Sequence, residues 1–210
     1  MDLQGRFITI EGGEGTGKST LIAGLTQAFR ERGIAVLTTR EPGGTPLAEQ
    51  VRELALSKHE NEGWSPLAHA LLMNAARQDH LDRQIRPALR AGRWVISDRF
   101  ADSTRVYQGI DGVSERFLKA LEAQIVGETR PDITLILDGD PERLQERRSL
   151  RGVSDVFEAR DLGFHNAVRD GFLAIAEAEP ERCAVIDALV SPEAVVASGL
   201  QAIDTRIGLP

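Results

Sequence analysis

The stretch Gly12–Thr20 reads GGEGTGKST and fits G-x-x-x-x-G-K-[ST], with Gly12, Gly17, Lys18 and Ser19 in the fixed places. The apolar run Arg6–Glu11 precedes it, and Leu21, Leu25 and Phe29 follow at the i, i+4 spacing of one helix face. Strand, glycine loop and helix form the context in which this pattern cradles phosphate. The glycines let the backbone curl so that N–H groups point inward, and the helix N-terminus adds its dipole. The candidate cradle is Gly12, Gly13, Glu14, Gly15, Thr16, Gly17, Lys18, Ser19 and Thr20. Lys18 would reach the terminal phosphates of a nucleoside triphosphate, and the Ser19 hydroxyl would ligate Mg²⁺. A glycine-rich turn without a ligand is the plain alternative.

Five short apolar runs read as buried strands: Phe7–Glu11, Ile34–Thr39, Trp94–Asp98, Ile133–Asp138 and Cys183–Asp187. Their near-continuous apolar character suits strands covered on both faces. Helical patterns separate them, so the chain reads as an α/β three-layer sandwich. That is a five-stranded parallel sheet with helices on both faces, as in P-loop NTP hydrolases. A helix is predicted from Pro46 to Ser57, an exposed loop over Lys58–Gly63, and a helical region from Ser65 to Arg90. Leu67, Leu71, Leu72 and Ala75 are predicted to form its apolar stripe, continued by Leu81, Ile85 and Leu89, with a bend at Pro87. Further helices are expected from Pro141, over Glu158–Ala178 and over Pro192–Arg206, with Asp187 as the cap of the last. The 210 residues suffice for one domain, 1–210, and carry no repeat or linker.

A net charge of −7 argues against stable nucleic-acid binding, which needs a basic face. The lone Cys183 fits a reducing compartment. No apolar stretch approaches the ~18 residues of a membrane span or the length of a signal. A cytoplasmic protein is expected.

Ligands of such sheets gather at the carboxyl ends of the strands, which here carry Glu11, Arg40-Glu41, Asp98-Arg99, Asp138 and Asp187. Asp98 can hold a metal through its waters while Arg99 grips a second phosphate. Asp138 competes with Asp98 for the metal. Arg143, Arg147 and Arg151 share a helix face at i, i+4, i+8. They read either as a solvated basic face or as a mobile lid, about residues 143–158, over the phosphates. His80 carries little functional weight, as a surface residue or a satisfied hydrogen-bond partner. Two anionic substrates, a metal and converging cations form the profile of a nucleotide kinase. No Asn is followed by Lys, so the guanine signature of P-loop GTPases is missing.

Thr39-Arg-Glu-Pro-Gly-Gly-Thr45, Asn74-Ala-Ala-Arg77, Asp98-Arg99 with Ser103 and Tyr107-Gln108-Gly109, and Arg130-Pro-Asp-x-Thr-x-x-Leu-Asp138 complete the pattern. With the glycine loop they resemble the thymidylate (dTMP) kinase family over most of the chain. The resemblance implies ATP and Mg²⁺, with Ser19 and Asp98 on the metal, and transfer of phosphate to dTMP. It implies that Glu14 meets the sugar 3′-hydroxyl, that Arg99 bridges the phosphates and that Arg77 and Gln108 read the thymine edge. Tyr107 would disfavour a 2′-hydroxyl, and Arg40, Pro42, Met73 and Ser103 would complete the acceptor pocket. With Gly15 in place of a loop arginine, Arg147 and Arg151 become the lid's catalytic candidates beside Lys18 and Arg99. A homodimer through helices on one side of the sheet is also implied. Met73 stands where many members have Phe, Ile110-Asp111-Gly112 replaces a glycine-rich run, and Val156 replaces a lid Arg. These departures leave another or modified nucleotide acceptor, or a non-catalytic nucleotide-binding protein, as the alternatives.

Overall fold

Cover on both faces is what a continuous apolar strand requires, and the central strands receive it. A computed structural model describes residues 5–56, 63–149 and 160–210, with backbone alone for 146–149. Five parallel strands are β1 (Phe7–Gly12), β2 (Val36–Arg40), β3 (Trp94–Asp98), β4 (Ile133–Asp138) and β5 (Cys183–Asp187), in spatial order β2-β3-β1-β4-β5. β1 is buried throughout, and β3 and β4 lose their cover only at the terminal aspartates. β2 and β5 lie at the edges and are half open, so the expectation of full cover fails there.

Helix α1 (Lys18–Glu31) and α9 (Pro192–Ile207) lie on one face, where Ile8, Ile10, Leu21, Leu25, Phe29 and Leu135 form the core. The opposite face carries α3 (Pro66–His80), α4 (Arg86–Arg90), α5 (Ala101–Ile110) and α8 (Leu162–Ala178), over Phe7, Val95, Phe100, Ile136 and Phe172. Helices α2 (Pro46–Leu56), α6 (Glu115–Ile125) and α7 (Pro141–Ser149) complete the described elements. The chain leaves β1 toward β3 on one side and β4 on the other, with Ile10 opposite Asp98 and Glu11 opposite Ile136. The strand order reverses here, so a crevice opens at the carboxyl ends of β1 and β3.

Three expectations need correction. The cap of α9 is Ser191, whose hydroxyl accepts from the Ala194 N–H at 3.2 Å, whereas Asp187 accepts from Leu189 within the preceding turn. Serine directly precedes Pro192 at the first helical position, which leaves Asp187 four residues too early to cap. The stripe on α3 is also wrong. Leu67 and Leu71 are 49% and 47% exposed, and the buried face is His69, Ala70, Met73, Asn74, Ala76, Arg77 and His80. That helix turns a polar face inward because it walls the crevice. Leu81, Ile85 and Leu89 do pack inward. The irregularity in this region is a π-turn over Leu81–Ile85, where the Arg86 N–H bonds to the Leu81 carbonyl five residues back, just ahead of Pro87. Helix α8 begins at Leu162, capped by Asp161, rather than at Glu158. Most of the expected loop over 58–63 lies outside the described residues. No helix among the described residues is long and apolar enough to cross a membrane.

Candidate active site

Gly12 ends β1 with φ 132°, and a Cβ there would lie 2.5 Å from the Leu137 carbonyl oxygen, so only glycine fits. Gly17 is the N-cap of α1 at φ 90° and has no side chain to occupy the helix terminus. No side chain therefore stands between the start of α1 and an anion. Lys18 folds back over the loop, donating to the carbonyls of Gly12 at 3.1 Å and Gly13 at 2.9 Å. Burial, then the charge of Arg99, pushes its ammonium below the ordinary lysine value.

Arg99 takes the left-handed conformation at φ 67°, a strain that the surroundings must hold. Its guanidinium donates to the Gly12 carbonyl and the Ser103 hydroxyl, each at 3.1 Å, and to Glu14 at 2.5 Å. It also sits 5.1 Å over the Tyr107 ring, while the Tyr107 hydroxyl donates to Glu14 at 3.0 Å. Burial alone would raise the Glu14 carboxyl. The charges of Arg99 and Lys18 and the Tyr107 hydroxyl outweigh it and hold the group at about 2. Arg99, between so many anions, stays fully charged despite its burial.

The two candidate metal carboxylates part company. Asp138 is gripped by Arg169 at 2.7 and 2.9 Å. Asp98 has a buried oxygen, Oδ1, with no hydrogen-bond partner. Ser19 and Asp98 both line an open groove beside α1, and Asp98 also lines the neighbouring cavity.

That cavity, about 290 Å³, lies between the glycine loop, the Arg40–Pro42 turn, α3 and α5. Every residue expected to contact the acceptor lines it: Glu14, Arg40, Pro42, Met73, Arg77, Arg99, Ser103, Tyr107 and Gln108, with Lys18 and Asp98 at one end. Arg77 is held rigidly, donating to Glu41 at 2.7 Å and to Asn74, the Phe100 carbonyl and Thr104 at 3.0 Å each. The Gln108 side chain makes no hydrogen bond among the described residues and is open to the cavity. Arg40 is half-exposed and paired with Glu49 at 2.8 Å.

A protein-family model described as thymidylate kinase matches residues 10–198. The chain is 47% identical over 207 residues to the thymidylate kinase of Caulobacter vibrioides, covering 98% of this chain and 99% of that one. The chain belongs to the thymidylate kinase family. It is also 50% identical over 196 residues to the thymidylate kinase of Chromohalobacter salexigens, 92% of each chain. Its fold matches the crystal structure of thymidylate kinase from Ehrlichia chaffeensis with a TM-score of 0.76 and 33% identity, over 95% of this chain and 99% of that one.

For this member of the thymidylate kinase family, the motif reading gave no role to two buried carboxylates of the site, and of its two readings for His80 the satisfied hydrogen-bond partner holds. Glu11 is fully buried, and burial together with Asp102 pushes its carboxyl up to about 7. Glu41 lies between Arg77 and His80, with the His80 ring at 3.0 Å on one side and Thr39 at 2.7 Å on the other side of that ring. His80 is therefore a wholly buried bonded partner, not a surface residue. The only signal for Glu11 and Glu41 was a carboxylate at the end of an apolar strand. Arg147 lies on α7 by its backbone, and Arg151, Asp155 and Val156 of the expected lid lie outside the described residues.

Proposed function

We infer that this chain transfers the γ-phosphoryl group of ATP to the 5′-phosphate of dTMP, giving ADP and dTDP. The observation that carries this reading is the single cavity in which Glu14, Lys18, Arg99, Arg77 and Gln108 converge beside the glycine loop. The donor's phosphates would lie along that loop and the α1 N-terminus. An acceptor phosphate oxygen is already anionic, so no side chain need remove a proton. Lys18 and Arg99 would carry the charge that develops between the two substrates as the bond to the leaving ADP oxygen breaks. Breaking its contacts to the Gly12 and Gly13 carbonyls frees Lys18 for this. Glu14 would accept from the sugar hydroxyl while keeping Arg99 in place. The free amide of Gln108 and the fixed guanidinium of Arg77 would meet the base edge, with Met73 against its face. Arg40, Pro42, Ser103 and Tyr107 would close the acceptor pocket. Arg147 and Arg151 remain the candidates for a lid over about 143–158, within one domain of 210 residues.

The donor set fits Mg²⁺. Asp98, which keeps one buried carboxylate oxygen without a partner, and Ser19 line one groove. Among the described residues no cluster of three or more His, Cys, Asp or Glu offers an all-protein cage. Magnesium keeps most of its waters and takes one or two protein oxygens plus phosphates. When bound, it supplies charge to the donor phosphates. A homodimer is also part of this reading, in the cytoplasm. Leu47 and Leu54 on α2, Leu67 and Leu71 on α3 and Phe117 on α6 are 57%, 44%, 49%, 47% and 38% exposed on packed helices. Exposed apolar side chains on neighbouring helices support this reading.

ADP release should be measured with ATP and Mg²⁺ against dTMP, dUMP, dCMP, dAMP, dGMP, 5-hydroxymethyl-dUMP and no acceptor. Release greatest with dTMP is expected. Release only with another acceptor would overturn the substrate, and tight ATP binding without release would overturn the activity.

A further inference from the structure

The carboxylate of Glu11 takes no part in the transfer described above, yet it is wholly buried on β1, one residue before the glycine loop. Strand alternation sets Phe7, Thr9 and Glu11 on one face of β1, and there Glu11 meets the first turn of α5. Its Oε1 accepts from the Phe100 N–H at 2.8 Å and the Ser103 N–H at 3.3 Å, and its Oε2 from the Ser103 hydroxyl at 2.7 Å. Helix α5 has no cap of its own. The residue at that position is Phe100, whose side chain offers no acceptor. Helix N-termini leave N–H groups that need partners, and here a different strand supplies them. Asp102, in the same turn, is occupied elsewhere, by Arg182 at 2.7 and 2.8 Å and Arg105 at 3.1 Å.

The consequence falls on Arg99. Its own N–H bonds to the Ile10 carbonyl at 2.9 Å, and the next N–H, of Phe100, bonds to Glu11. Two successive bonds to β1 thus bracket the one left-handed non-glycine residue of the described chain. The Ser103 hydroxyl that donates to Glu11 also accepts from Arg99 at 3.1 Å. Contacts therefore run from Glu11 through Ser103 to Arg99 and on to Glu14.

We propose that Glu11 is a positioning residue that fastens the first turn of α5 to the strand feeding the phosphate loop and so fixes Arg99, through Ser103, between donor and acceptor. What Arg99 grips rests on the proposed dTMP kinase activity; the clamp itself does not. Glu11→Ala, Glu11→Gln, Glu11→Asp, Ser103→Ala and Glu11→Ala/Ser103→Ala should be compared in the full chain. In Glu11→Ala, amide hydrogen exchange over residues 99–104 should quicken about tenfold or more, as local opening predicts. Its kcat with dTMP should fall at least about 30-fold while KM for ATP changes less than about threefold, the pattern of a lost transition-state contact. Glu11→Gln keeps an acceptor for both N–H groups and should recover most of kcat. The double variant should lose clearly less kcat than the product of the two single losses, because the two residues act in series. If Glu11→Ala does not fold, Glu11→Asp carries the comparison, since it keeps the charge and shortens the reach. Unchanged exchange, unchanged kcat beside a lowered Tm, or multiplying effects in the double variant would each overturn the proposal. A wild-type enzyme without dTMP turnover would sink the proposed activity, and the exchange data would still decide the clamp.

Discussion

In the proposed transfer, Lys18 is the residue given the most direct role. Its ammonium is nine-tenths buried, rests on two loop carbonyls and is surrounded by Glu14, Asp98 and Arg99. Lys18→Ala removes a charge from the proposed reacting centre. A loss of about 10³ in kcat is expected, as for removal of one preorganised electrostatic donor, with a circular-dichroism melt close to wild type. Retained activity would refute the role given to the loop. At this scale the sequence was legible where chemistry dictates residue type. A phosphate loop needs Gly12, Gly17, Lys18 and Ser19 at fixed spacing, and no other arrangement of those residues does the work. It marked Glu11 and Glu41 only as strand-end carboxylates, because the role of a buried carboxylate is defined by the partners that the fold brings to it.

At the scale of elements, α9 and α3 carry the lessons. The Ser191 hydroxyl caps α9 and the Asp187 carboxylate serves only a turn. Ser191→Ala should therefore cost about 1 kcal/mol in a denaturant melt. Asp187→Ala should cost less than half of that, the range of surface changes, and the reverse ranking would restore Asp187 as the cap. On α3, spacing alone favoured Leu67 and Leu71 as the inner face. The helix instead buries Asn74, Arg77 and His80 because Glu41, Thr104 and Thr39 stand opposite to pair with them. Periodicity finds a helix but cannot choose its inner face when the inner face is a polar site wall.

Across the whole molecule, two carboxylates at one centre oppose each other. Glu11 titrates at about 7 in the folded chain against an ordinary 4.5, so the stability it contributes is present below about 4.5 and is lost as pH rises toward 7. Glu14, held at about 2, works in reverse and contributes above 4.5, with about 3 kcal/mol lost as pH falls toward 2. The wild-type melting temperature should decline between about pH 5 and pH 7.5, and Glu11→Gln should flatten that decline. An identical slope in the variant would assign the decline to other groups. The exposed leucines of α2 and α3 carry the second prediction at this scale. Leu67→Glu/Leu71→Glu should convert a dimer to a monomer in light scattering, and a monomeric wild type would remove the interface. The order of strands and helices, the parallel sheet and the phosphate loop were determined by the sequence itself, because local spacing and apolar runs encode them directly. Which strand-end carboxylate is held by an arginine, which face of α3 looks inward and what caps α5 were decided only by tertiary structure. Each depends on a partner distant in the chain: Arg169 for Asp138, Glu41 for Arg77 and Glu11 for Ser103.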